Sequence, residues 1–115
     1  MSSPALGGIL HHNIPDKQTL YASYMPFIKN GGLFVPGHTQ HELGKELFLM
    51  LTMMGNPERI AVACRVVWIT PEGTQGNQLP GIGVQFSDMD KGQTRARIEN
   101  YLAGALGGDK STYTL

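Results

Sequence analysis

The chain is 115 residues long, carries no net charge with its histidines neutral, and contains a single cysteine. That is the length of one domain, enough for a core without staples, and it excludes an internal disulfide. Charged residues are 16% of the total, against about 25% in a typical globular domain. The basic field that recruits nucleic-acid phosphates is missing, so the surface favours protein contacts over polyanions.

Residues 1–17 mix Gly, Pro, Ser, His and Asn and read as a flexible N-terminal arm with at most one short strand, at "GGILHHNI". The segment has no basic start and no long apolar stretch, so it does not read as a signal peptide. Residues 19–28, "TLYASYMPFI", are rich in strand formers but alternate only patchily. A Gly31-Gly32 turn and a short strand, "LFVP", follow.

"KELFLMLTMM" (45–54) is the clearest strand. Leu47, Leu49, Leu51 and Met53 share one face, and Phe48, Met50, Thr52 and Met54 the other. Its apolar run is far shorter than the ~20 residues that cross a bilayer, so no membrane insertion and a cytoplasmic location are expected. The methionines read first as core filling and second as an adaptable contact surface. "RIAVACRVVWIT" (59–70) is a second long strand. Its even positions, Ile60 to Trp68, are the expected core face because Arg65 lies on the odd one. Cys64, inside that run, reads as a buried apolar residue.

A polar loop (71–81) leads to "IGVQF", with Ile82, Val84 and Phe86 on one face and Gly83 and Gln85 on the other. The glycines here leave room for a neighbour. From about Asp90 the period changes to that of an amphipathic helix of ~16 residues, through Ile98, Tyr101, Leu102, Ala105 and Leu106. Asp88 or Asp90 can cap it, Gly107-Gly108 can end it, and "DKSTYTL" reads as a frayed tail. Domain bounds of 1–17 (arm), 18–106 (folded domain) and 107–115 (tail) follow.

Chemistry is sparse. The histidines are His11, His12, His38 and His41, and the His38-x-x-His41 pair lacks the paired partners that mark a zinc site. The acidic residues fall at turns and element ends, and no serine has a nucleophile-elbow context. No catalytic residue, metal or cofactor is assigned, and no enzymatic activity is expected.

The ordered set "GGLFV", "LGKELFLML", "RIAVACRVVW" and "PGIGVQF" followed by a helix resembles the PilZ domain family over about residues 18–106. The resemblance implies a mainly β fold, a six-stranded PilZ-type β-barrel with a C-terminal α-helix. In length and layout the chain looks most like the stand-alone members of type IV pilus biogenesis. Most PilZ domains are cyclic-di-GMP receptors that use an N-terminal RxxxR and a (D/N)xSxxG turn. Aligning Gly32 with the last glycine of the turn puts Phe27 at the acid/amide position and Lys29 at the serine position. There is no arginine before Arg59. The planar forks that grip phosphate and guanine are therefore absent.

The resemblance thus implies the non-receptor branch, adaptors in pilus assembly and twitching motility that do not bind cyclic-di-GMP. Their partners are the pilus extension ATPase and, in some bacteria, a degenerate GGDEF/EAL-domain protein. The readings to be set against it are a cyclic-di-GMP receptor with an altered site and a barrel that binds single-stranded nucleic acid on aromatic platforms. Tyr and Trp are common interface anchors. Tyr21, Tyr24, Phe27 and Trp68 are accordingly the candidate partner-binding residues.

Overall fold

The computed structural model describes residues 6–73 and 79–103. Five strands form one sheet: β1 (Leu6–Ile14), β2 (Gly32–Pro36), β3 (Glu46–Met53), β4 (Ile60–Thr70) and β5 (Gly81–Phe86). Two helices accompany them, α1 (Lys17–Ser23) and α2 (Gln93–Tyr101), with a short 3-10 turn at Asp88–Asp90. The strand order is β1-β3-β4-β5-β2. β1 runs parallel to β3, and the other neighbours are antiparallel. The sheet curls into a half-barrel, a mainly β fold with a C-terminal helix, as the resemblance implied.

Six strands were expected, and five are present among the described residues. The nearest approach to a sixth is a one-residue antiparallel bridge between Tyr24 and Leu33, on the free edge of β2. β1 and β2, the two edges, do not pair with each other. α1 touches both of them and so spans part of the gap.

Two departures from the sequence reading have clear causes. Residues 6–14 form β1, where the sequence reading allowed a short strand within the arm, but the strand is an integral part of the sheet, paired with β3 from Glu46 to Met53. Residues 19–23, the start of the 19–28 run rich in strand formers, instead lie in α1. Asp16 caps it, its carboxylate accepting from the Thr19 amide at 2.8 Å. Leu20, Tyr21, Ser23 and Tyr24 are buried, so the aromatic-rich run meets the core through a helical turn. An Asp at the N-cap, accepting from the backbone amide three residues on, is a helix-start signal, and it outweighs the weak strand propensity of the run.

The core lies on the concave side. Leu47, Leu49, Leu51 and Met53 of β3, Val62, Cys64 and Val66 of β4, and Ile82, Val84 and Phe86 of β5 are all buried there, on the faces that alternation assigned. From the ends come Leu20 of α1 and Ile98 and Leu102 at the C-terminal helix. α2 is shorter in the described range than the expected ~16 residues. Ala105, Leu106, the Gly107-Gly108 stop and the tail lie outside the described residues. Gly92 begins α2 by its backbone, while Asp90 does the capping: its carboxylate accepts from the Gly92 and Thr94 amides at 2.9 Å each. Arg97 reaches Glu58 at 2.6 Å, tying α2 to the approach to β4.

Trp68 is not on the core face. The β4–β5 register shifts between Val66 and Trp68, so Val67 is a bulge that turns the rest of β4 by one position. Ile69 then packs against the core, and Trp68 crosses to the convex side. There it lies over Gly83, whose missing side chain leaves the space that Trp68 and Met25 fill. A Cβ on Gly83 would sit 2.7 Å from the Trp68 Cβ and 2.9 Å from the Met25 sulfur. The Trp68 indole N–H donates to the Thr70 hydroxyl at 2.9 Å.

Gly83→Ala is therefore expected to destabilise the fold by about 1–3 kcal/mol through overpacking, read as a lower denaturation midpoint. Cys64 is buried, its thiol pushed up to about 12 by desolvation. It should react with a disulfide reagent only at the rate of unfolding, and fast labelling of the folded chain would contradict this placement.

Candidate functional site

The glycine turn that precedes β2 is held from three sides. Gly31 donates to the Ile28 carbonyl at 2.7 Å, and the Met25 amide donates to the Gly32 carbonyl at 2.9 Å. Gly32 lies against β5 so closely that a Cβ would stand 2.4 Å from the Val84 carbonyl oxygen. No other residue fits there.

Below the turn, Tyr24 donates from its hydroxyl to Glu99 of α2 at 2.6 Å, and the Arg95 Nε donates to the same carboxylate oxygen at 3.1 Å. The two donors hold the Glu99 carboxyl below the usual range, Tyr24 contributing most. Burial, then the Glu99 carboxylate, pushes the Tyr24 phenol well up. This trio fixes α2 to the end of α1 and to the turn.

Beside the turn a groove of about 440 Å³ opens on the convex face of the sheet. One wall is a polar row at one level across three strands: Glu46 of β3 opposite Arg65 of β4, and Arg65 opposite Gln85 of β5. Gln85 donates to the Lys29 carbonyl at 2.9 Å, joining the row to the glycine turn. The floor is Phe48 opposite Ala63. Met89, 75% exposed, stands on the far rim. Neither Lys29 nor Arg65 has an ion-pair partner among the described residues. The groove thus offers two cations without ion-pair partners, two carboxylates (Glu46 and Asp88), an amide and an apolar floor. Among the described residues no group of three or more His, Cys, Asp or Glu is placed to hold a metal.

The structure separates the four aromatic candidates. Phe27 is 48% exposed at the turn, and Trp68 is partly exposed over β5. Tyr21 and Tyr24 are buried at 8% and 1%. Tyr24 stands behind the turn, its hydroxyl 3.4 Å from where a Cβ on Gly31 would lie, and supports it from within, while Tyr21 is part of the core. Lys29, at the serine position of the receptor motif, lines the groove, while Phe27 is not part of its wall. Arg65 and Gln85 were read only as marks of the solvent face. The signal that could have found them was available: alternation puts both on the outer face of adjacent strands.

A family model described as the PilZ domain matches residues 10–104, most of the chain. The fold, the glycine turn packed on β5 and this match together place the chain in the PilZ domain family. PilZ domains are binding or adaptor domains, and membership gives the chain a regulatory or adaptor role related to cyclic-di-GMP, with protein or cyclic-di-GMP as partner. No curated protein matches the sequence. Among the described residues no helix is long and apolar enough to cross a membrane.

Tyr24→Phe and Glu99→Ala should be coupled: a double-mutant cycle is expected to give an interaction of about 0.5–1.5 kcal/mol, modest because Glu99 is partly exposed. Glu99 has a depressed folded pKa. Its contribution is therefore present above the unfolded carboxylate value and lost as pH falls through the folded one. The coupling should vanish in acid denaturation titrations, and persistence there would contradict the charge-assisted bond.

Proposed function

We propose that this PilZ domain is of the stand-alone type, an adaptor in type IV pilus assembly and twitching motility that acts by protein contact and does not itself bind cyclic-di-GMP. Its partners in this reading are the pilus extension ATPase and, in some bacteria, a degenerate GGDEF/EAL-domain protein, and it works in the cytoplasm. The observation that carries the reading is the turn itself. Phe27 and Lys29 occupy the polar ligand positions of the receptor motif, and no arginine precedes Arg59. An exposed aromatic at such a turn suits a protein partner better than a nucleotide phosphate.

The contact surface in this reading centres on Phe27 and extends to Trp68. Tyr24 contributes by holding the turn in place, and Tyr21 is a core residue. A second reading, a cyclic-di-GMP receptor with an altered site, draws on the groove beside the turn and its two unpaired cations, Lys29 and Arg65.

Calorimetric titration with cyclic-di-GMP separates the two. The adaptor reading expects no binding at micromolar ligand, and saturable heat that disappears in Arg65→Ala would establish the receptor reading instead. Affinity capture with the purified extension ATPase tests the positive claim. Phe27→Ala and Trp68→Ala should each weaken retention while leaving the circular dichroism spectrum intact, and normal capture by both variants would refute the proposed surface.

A further inference from the structure

The two edges of the sheet are guarded unequally. β2 is five residues long and ends in Pro36, which has no N–H to offer. Its Gly32 carbonyl is already taken by the Met25 amide at 2.9 Å, and Tyr24 bridges to Leu33 beside it. β1 has nine residues, LGGILHHNI, with no proline and no charged side chain. Those are the devices by which an edge strand repels further pairing. Its one irregularity, a register shift between Leu6 and Ile9, lies at the start and leaves residues 9–14 in unbroken register with β3.

The β1–β3 ladder fixes which backbone groups of β1 remain open. The Ile14 carbonyl accepts from the Met54 amide at 2.8 Å, so Ile14 turns its backbone groups toward β3. Successive residues of a strand turn their N–H and C=O to opposite sides. Leu10 and His12 therefore also face β3, and Ile9, His11 and Asn13 face away from it. Among the described residues, no backbone bond from outside the ladder reaches these three. Their side chains are exposed as well, Ile9 at 60%, opposite the buried Leu10 and Ile14.

We propose that two copies of this chain pair along β1, antiparallel about a two-fold axis at His11, and so join their sheets into one. In that register Ile9 faces Asn13 of the second copy, His11 faces its own equivalent, and every outward N–H and C=O of the three finds a partner. Three features select a second copy as the occupant. The outward set is its own complement when reversed. The chain carries no net charge with its histidines neutral, so two copies do not repel each other. The guarded β2 edge bars the head-to-tail pairing of β1 with β2 that would run on into a fibre, and self-pairing of β1 closes at two copies. Such a contact is small. About six hydrogen bonds, at about one per 100–200 Å², correspond to about 600–1,200 Å² of interface, the size of a transient association.

Sedimentation velocity on the full chain from about 10 μM to about 1 mM covers the range in which a contact of that size forms. The mean mass should rise with concentration from 12.5 kDa toward twice that value. His11→Lys and His11→Glu each set like charges opposite each other across the axis. Either variant alone should stay monomeric, and an equimolar mixture of the two should regain the dimer, because only a contact in which residue 11 faces itself gives that pattern. Amide exchange reads the same contact without a variant. Protection of Ile9, His11 and Asn13 in the unmodified chain should rise several-fold with concentration while β2 keeps its own. A single 12.5 kDa species throughout overturns the proposal. So does a dimer that persists in both variants, or a mixture that stays monomeric. Protection of the three amides that is independent of concentration would put a segment of the same chain on this edge, and overturns it as well.

Discussion

A five-stranded sheet that curls without closing leaves two rows of edge backbone groups and an open concave face, and both have to be covered. A closed barrel abolishes its edges. Here β1 and β2 remain unpaired with each other, and the other elements are disposed around that gap. α1 spans part of it, the Tyr24–Leu33 bridge occupies one residue of the β2 edge, and α2 adds Ile98 and Leu102 to the concave core. The Tyr24–Glu99–Arg95 trio matters because it joins these covers. It links the end of α1 to α2 directly beneath the glycine turn.

That constraint also separates what Gly32 does from what a ligand motif does. In a receptor, the last glycine of the turn could be taken as a sign of nucleotide binding. In this chain the Val84 carbonyl oxygen leaves no room for a Cβ at that position. The glycine is demanded by strand packing alone, whatever stands at positions 27 and 29. Retention of the bend therefore carries no information about the ligand. The information lies in the side chains before it, an exposed phenylalanine and a lysine.

How much was legible followed from which forces dominate locally. β3, β5 and the first half of β4 were plain from period-two alternation, because each buries one face and the register is then fixed. α1 was missed because Tyr21 and Tyr24 suggested strand, while the deciding signal was one aspartate at its N-terminus. Trp68 was misplaced because alternation cannot see a bulge: one extra residue at Val67 moves every later side chain to the other face. At the site, the turn and its altered motif were readable in one dimension. The polar row of Glu46, Arg65 and Gln85 was not, because it exists only once three strands are in register.

The placement of Trp68 has an optical consequence. It is the chain's one tryptophan, and it sits outside the core, over a glycine and beside a methionine sulfur, with its N–H committed to Thr70. Its fluorescence therefore reports the convex flank of β4 and β5, not the interior. A partner that covered that flank would change the emission without disturbing the fold. Loosening of the concave core beneath α2 could in turn proceed with the signal unchanged, so emission and far-ultraviolet ellipticity follow two different regions of the same small domain.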